Sequence, residues 1–237
     1  MHAIIFSAGL GTRFKPWTDN HPKALAVING RSLLQRNIEY LQQYGIRDVV
    51  VNVHHFAEQI EAAITQANGW GSRVVISDER NEVLETGGGL MKASPLLDQS
   101  DFIAINVDIL TDLDLSAMIT FHQSTGSLAT LAVTQRKTSR YFLFDETNEL
   151  CGWRNSSTGE EKLSRSTRGL SAKAFSGVHV INHRLFDLVS QRGKFSIVDV
   201  YLELAVHHKI CGFDHTGTKL IDVGKPEAVP VAESMFP

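Results

Sequence analysis

The sequence predicts an α/β fold with a mostly parallel, mixed central sheet and helices on both faces. Three observations carry this expectation. Short apolar runs alternate with segments of helical period through residues 1–135. The runs are continuous rather than alternating, as in strands covered on both faces. A Gly-rich turn directly follows the first run, and in a parallel sheet such turns gather at the carboxyl ends of the strands.

Taken in order, Ile4-Ile5-Phe6 is the first buried strand. After a loop, Leu33, Leu34, Ile38, Leu41 and Tyr44 recur at helical spacing, and Gly45 ends that helix. Val49, Val50, Val51 and Val53 form the next strand, Phe56, Ile60 and Ile64 mark a second helix, and Val74-Val75-Ile76 a third strand. The spacing predicts a third helix starting near Gly88, with Glu85-Thr86-Gly87-Gly88-Gly89 as a loop before it. Phe102-Ile103-Ala104-Ile105 is the following strand. The texture changes from 136 to 172, and residues 154–171 read as a polar hairpin or mobile loop, or equally as a solvated connection. Apolar order returns at residues 174–181, and Leu185, Phe186, Leu188 and Val189 suggest a helix. A single domain over 1–237 is expected, with parts at 1–135 and 136–237.

Composition excludes several classes. With 43% hydrophobic and 21% charged residues the chain reads as an ordinary soluble globular protein. A net charge of −3 gives no basic excess for nucleic acid. Two cysteines, Cys151 and Cys211, are too few for a disulfide framework, so a cytoplasmic setting is expected. Met1-His2-Ala3 leads straight into a strand without the look of a signal peptide, and no apolar run approaches the roughly 20 residues of a membrane span.

The chemistry concentrates in residues 4–23. Gly9 and Gly11 allow a tight turn whose amides approach an anion, and Arg13 and Lys23 add fixed positive charge. A Walker A loop is excluded because Lys23 follows Pro22. The dinucleotide fingerprint fails because Phe14 stands at its third glycine and Pro16 opposes an immediate helix. Asp108 ends an apolar strand beside this loop, where a hard oxygen ligand could hold Mg²⁺ on a triphosphate. Asp222 follows a second short apolar run and precedes Gly-Lys-Pro, which alone reads as a turn into a helix. Asp112 and Asp114 precede a helical pattern and read as a turn acid and an N-cap. The ten histidines show no metal spacing. Three consecutive glycines at 87–89 suggest close backbone approach to something flat or charged. Arg154 could supply charge to a second ligand and Trp153 a stacking face, or both could be a hairpin aromatic and a solvated cation.

Ala8-Gly9-Leu10-Gly11-Thr12-Arg13-Phe14-Lys15-Pro16-Trp17-Thr18, with Pro22-Lys23, resembles the signature of the sugar-1-phosphate nucleotidyltransferases at every specified position. The resemblance implies a Rossmann-like, glycosyltransferase-A-like nucleotidyltransferase fold, with a nucleotide-binding part at 1–135 and a sugar-binding part at 136–237. It implies Arg13, Lys23 and Asp108 as catalytic groups and Mg²⁺ held by Asp108 and Asp222. Ala8 to Arg13, Lys23 and the Glu85, Thr86, Gly87 and Gly88 segment would bind nucleotide, the last through backbone contacts to the base. Asn106, Ser176 and Gly177, with Trp153 and Arg154, would face the sugar. The family's usual Gly before the metal Asp is Val107 here, and its Glu-Lys-Pro segment is not matched. The Glu-Thr-Gly-Gly-Gly form resembles N-acetylmuramate 1-phosphate enzymes and some mannose or heptose 1-phosphate enzymes. UTP with N-acetylmuramate 1-phosphate is therefore the first expectation, and GTP with mannose or heptose 1-phosphate the second. A metal-dependent glycosyltransferase is a further alternative. A monomer or small homo-oligomer, without nucleic acid or membrane partners, is expected.

Overall fold

The computed structural model describes residues 1–165 and 168–237. The chain opens with β1 (His2–Phe6), and the loop after it is carried on 3-10 turns at Thr12–Phe14, Trp17–Asp19 and Lys23–Leu25. A small hairpin of β2 (Val27–Ile28) and β3 (Arg31–Ser32) leads into α1 (Leu33–Gln43). Then come β4 (Asp48–Val53), α2 (Ala57–Gln66), β5 (Arg73–Asp78), α3 (Glu85–Ala93) and β6 (Phe102–Asn106). The remainder runs β7 (Ile109–Thr111), α4 (Leu115–Thr125), β8 (Ala129–Thr134), β9 (Arg140–Phe144), β10 (Leu150–Asn155) and β11 (Glu161–Leu163). It closes with β12 (Ser171–Ile181), α5 (Leu185–Leu188), α6 (Ile197–Leu204), β13 (Ile210–Asp214), β14 (Leu220–Asp222) and α7 (Val229–Met235).

The main sheet has the order β11-β10-β9-β12-β6-β1-β4-β5, with β8 paired to β12 and to β13. β6, β1, β4 and β5 are mutually parallel, β12 joins β6 antiparallel, β9 and β10 continue antiparallel, and β13 lies parallel to β8. The sheet is thus mixed, as expected, with its main parallel part in the first half of the chain. Chain order moves from β1 outward to β5 and then returns to β6 on the other side of β1. That reversal is where open α/β sheets leave a crevice beyond the carboxyl ends of their strands.

The continuous apolar runs are explained by burial on both faces. Ala3 and Ile5 of β1 join one core with Val49 and Val51, under α1 and α2, while Ile4 and Phe6 join the other with Val50, under α3 and α6. Helix starts follow local chemistry: the Ser32 side chain accepts from Gln35 N at 3.1 Å, and Asp114 accepts from Ala117 N at 3.1 Å. Asp112 in turn accepts from the Lys219 amide at 2.7 Å, so both acids of the Asp-x-Asp pair have the structural roles expected of them. Among the described residues no helix is long and apolar enough to cross a membrane.

One local expectation is corrected and one is met in part. The segment Glu85–Gly89 is not a loop, because α3 begins at Glu85. Three glycines would weaken a helix, but tertiary packing overrides that propensity here. The Gly87 and Gly88 amides donate to the Phe195 carbonyl at 2.9 and 3.3 Å, and a Cβ on Gly87 would stand 2.9 Å from that oxygen. The segment expected at 154–171 is a hairpin of β10 and β11 in its first part, and its residues 166 and 167 lie outside the described residues.

Candidate active site

Four neighbouring parallel strands deliver their carboxyl ends to one cleft of about 420 Å³. Across the sheet, its lining includes Glu79 after β5, Asn52 of β4, Ser7 to Gly9 and Gly11 to Arg13 after β1, and Asn106 to Asp108 at the end of β6. Lys23, Glu85, Thr86 and Gly224 complete the walls. The cleft therefore gathers most of the sequence-predicted nucleotide residues. The Leu10 side chain is 48% exposed and is outside the lining.

The two glycines of the loop differ. Gly11 has φ +62, and a Cβ there would sit 2.9 Å from the Thr18 methyl, so both backbone and space require glycine. Thr18 Oγ1 donates to the Gly11 carbonyl at 2.9 Å and Phe14 N donates to it at 2.8 Å, fixing the turn. At Gly9 a Cβ would meet no atom within 4 Å, so this glycine only keeps the cleft wall open.

The loop is anchored from below by Asn52. Its Oδ1 accepts from Ser7 N at 2.6 Å and Ala8 N at 3.2 Å, and its backbone carbonyl accepts from the Ser7 hydroxyl. Asn52 Nδ2 donates to Glu79 Oε1 at 2.7 Å, and the other Glu79 oxygen accepts from Leu84 N at 3.3 Å. Glu79 is 1% exposed, and burial raises its pKa, opposed by these hydrogen bonds and by Lys92 and His54. Gly89 matters here: a Cβ on it would lie 2.6 Å from Glu79 Oε1. Asn52 and Glu79 escaped the sequence reading. The signals were a polar residue inside Val49-Val50-Val51-Asn52-Val53 and an acid at the carboxyl edge after β5, the same position that flagged Asp108.

Asp108 is positioned by backbone on both sides. Asn37 of α1, 2% exposed, donates from Nδ2 to the Val107 carbonyl at 2.9 Å, and Val223 N donates to the Asp108 carbonyl at 2.8 Å. The β-branched Val107 is accommodated as a buried core residue, 6% exposed. The antiparallel pair β7–β14 places Asp222 opposite Ile109, so two acids far apart in sequence end beside each other. Lys23 Nζ forms an ion pair with Asp108 Oδ2. A Cβ on Gly224 would lie 2.7 Å from Asp222 Oδ1 and 3.2 Å from Arg13 Nη2, so this glycine lets Arg13 and Asp222 crowd the same spot.

Asp222 opens to solvent at the rim, yet its pKa is raised, first by burial of its carboxyl against protein and then by the Asp108 charge. Lys23, Arg13 and Arg136 pull it back down. Two mutually repelling carboxylates are hard oxygen donors that suit a divalent cation. Among the described residues no third His, Cys, Asp or Glu joins them in a metal-binding cluster. A Mg²⁺ site of this kind needs only one or two carboxylates, because substrate phosphates and water supply the rest. The residues present therefore fit Mg²⁺.

Several expected contacts lie elsewhere. The Gly87 and Gly88 amides are engaged by Phe195, so they cannot read a base edge; Glu85 and Thr86 alone of that segment line the cleft. Glu85 does so with φ +59, the left-handed region, a backbone cost of the kind found at ligand sites. Thr86 Oγ1 accepts from Ile197 N at 3.1 Å and ties α3 to the start of α6. Ser176 is fully buried and its hydroxyl hydrogen-bonds with His215 Nε2 at 2.7 Å, so it does not face a ligand. Gly177 has φ +74 and packs under Asn106, where a Cβ would lie 2.9 Å from Asn106 Nδ2. It shapes the sugar-side wall from behind while Asn106 lines it. Arg154 is paired with Glu161 across β10–β11 at 2.5 Å. Trp153 packs on the core under α3 and α6, with the Lys162 ammonium 5.8 Å from its ring centre. Neither residue lines the cleft.

Known proteins resemble this chain in sequence and fold. N-acetylmuramate alpha-1-phosphate uridylyltransferase of Caulobacter vibrioides is 30% identical, over 98% of this chain and 95% of its own. The protein of that name from Neisseria meningitidis is 29% identical, over 94% and 93%. Among solved structures, HddC from Yersinia pseudotuberculosis complexed with GMP-PN superposes with a TM-score of 0.79 at 24% identity, covering 100% of this chain and 99% of that one. A UDP-glucose pyrophosphorylase complexed with UDP-glucose gives 0.80 at 16% identity, covering 98% and 97%. These neighbours share the fold. The model of the nucleotidyl transferase family matches residues 2–230, and the chain belongs to that family.

Proposed function

We propose that this protein joins a nucleoside triphosphate to a sugar 1-phosphate, giving a nucleotide-sugar and pyrophosphate. The observation that carries the reading is the meeting of Lys23, Asp108, Asp222 and Arg13 beside the glycine loop. The strand order supports a layout: the nucleoside over Glu79 and Asn52, the phosphates over the β1 loop, and the sugar on the β6–β12 side. The sugar phosphate oxygen attacks the α-phosphorus in line, so the protein mainly positions two anions and neutralises charge. The loop amides and Arg13 hold the β- and γ-phosphates and stabilise the departing pyrophosphate. Lys23 neutralises charge beside Asp108. Mg²⁺, held by Asp108 and Asp222, would supply Lewis-acid charge to the phosphate oxygens. No covalent intermediate is needed.

UTP with N-acetylmuramate 1-phosphate is the preferred pair, supported by the names of the relatives that span the whole chain. GTP with mannose or heptose 1-phosphate is second; the mannose-1-phosphate guanylyltransferase catalytic subunit beta of Drosophila melanogaster is 27% identical, though this chain spans 60% of its length. The test is pyrophosphate release with each of four triphosphates against N-acetylmuramate, mannose, heptose and glucose 1-phosphates. Release with UTP and N-acetylmuramate 1-phosphate upholds the reading. Release of free nucleoside diphosphate from a nucleotide-sugar and an acceptor, without the first activity, overturns it in favour of a glycosyltransferase.

A further inference from the structure

We propose that Arg136 is the cation that receives the phosphate of the incoming sugar 1-phosphate, an assignment that rests on the reaction proposed above. That reaction brings two anions to one site. Arg13 and the β1 loop serve the triphosphate, and Lys23 is already bound to Asp108. The second anion needs charge from the β6–β12 flank. Several cations of that half are committed elsewhere: Arg154 to Glu161, Arg165 to Glu149 at 3.1 Å, and Lys173 to Asp214 at 3.1 Å.

Arg136 differs in position and in what it has left to give. It follows β8 and is exposed, and among the described residues it forms no ion pair. One Nη2–H donates to the Phe175 carbonyl at 2.9 Å. A guanidinium has five N–H donors, so the anchored side chain keeps donors for a ligand. Phe175 begins the irregular stretch of β12, where pairing with β8 shifts between Phe175 and His179. Gly177, inside that stretch, lies directly under Asn106 of the cleft wall. Arg136 is thereby tied to the flank of the cleft that carries Asn106 and Asp108. An anchored arginine suits this role because its planar fork matches a phosphate in two-point contact.

The test is initial-rate pyrophosphate release, with Mg²⁺, on whichever substrate pair the wild type turns over. Arg136→Ala should raise KM for the sugar 1-phosphate by roughly tenfold or more, the loss of a charge-assisted contact. KM for the triphosphate should change less than about threefold, because Arg13 and the loop are untouched. Arg136→Lys should fall between, and Lys137→Ala, on the same segment, should match wild type. Melting temperatures of all three variants should equal that of wild type. An unchanged sugar-phosphate KM in Arg136→Ala, an equal rise in both KM values, or an effect that moves to Lys137 overturns the assignment. If the wild type releases pyrophosphate from no pair, the reaction reading itself fails and the assignment with it.

Discussion

Lys23 and Asp108 stand 85 positions apart in the chain and meet as an ion pair on the cleft wall, with side chains only 11% and 20% exposed. In so enclosed a place each charge depends on the other, since removing one partner leaves an uncompensated charge out of water. The pair also shows where the site wants positive charge: on Asp108, beside the carboxylate of Asp222.

Replacing Asp108 with Asn is expected to lower kcat on the order of a hundredfold or more, because charge at the reacting phosphates is lost in the transition state. It also leaves the Lys23 ammonium without its carboxylate, so a loss of stability of a few kcal/mol should accompany it. The two effects separate by experiment. Initial rates measured well below the melting temperature report the chemistry, and a urea titration reports the fold. A variant that melts early but turns over at the wild-type rate would make Asp108 purely structural.

The glycines at 9 and 88 should behave oppositely. Gly88→Ala drives a methyl against the Gly193 backbone, and such overpacking costs about 1–3 kcal/mol, or roughly 3–8 °C in melting temperature. Gly9→Ala meets nothing within 4 Å, so its melting temperature should be that of wild type. Its methyl enters the cleft wall, and KM for the triphosphate should rise. Thermal melts and kinetics of the two variants together check the division between packing glycine and ligand glycine.

The sequence made the parallel half of the fold legible because its strands are buried on both faces. Residues such as Ile4 and Ile5 then need no partner information to be recognised. Asp108 was legible for a related reason: an acid at the end of a continuous apolar run falls at the sheet edge. Asp222 was not legible from local pattern, because its place opposite Ile109 comes from a β7–β14 pairing across nearly half the chain. Gly87 and Gly88 misled because a glycine run has one appearance for two causes. Close approach to a ligand and close approach to Phe195 both exclude a Cβ. Trp153 and Arg154 had the right chemistry, but the β10–β11 ladder sets Arg154 opposite Glu161. Asn52 was hidden inside a strand that looked merely apolar, and Glu79 just past the end of another.

Metal removal should stop the reaction. Treatment with EDTA is expected to abolish pyrophosphate release and added Mg²⁺ to restore it. In Asp222→Asn the Mg²⁺ concentration for half-maximal rate should rise on the order of tenfold or more, as when a metal site loses even an outer partner. The same variant removes a carboxylate whose pKa is raised first by burial and then by the Asp108 charge, so stability without metal should hold or improve. Full activity of the wild type in EDTA would exclude the metal pair.

Stability should fall on the acid side of neutrality because histidines are buried in neutral form. His179 is 1% exposed and hydrogen-bonds through Nδ1 with the Tyr201 hydroxyl at 2.7 Å; burial pushes its pKa down to about 3. Burial lowers His122 and His215 as well, the first opposed by Asp101 and the second by Asp214 and Asp112. In the unfolded chain these imidazoles titrate near ~6.5. Above that value neither state binds the proton, and the contribution is fully present. Below it the unfolded chain takes up protons that the folded His179 refuses, so stability declines as pH falls from about 6.5 toward 3. The slope from His179 alone approaches about 1.4 kcal/mol per pH unit, or roughly 2 kcal/mol lost by pH 5. Urea midpoints between pH 4.5 and 8 should trace this limb. His179→Gln, which keeps a partner for Tyr201 but cannot take the proton, should flatten it by about one proton's worth. An unchanged slope in that variant would mean that His179 is charged in the folded protein.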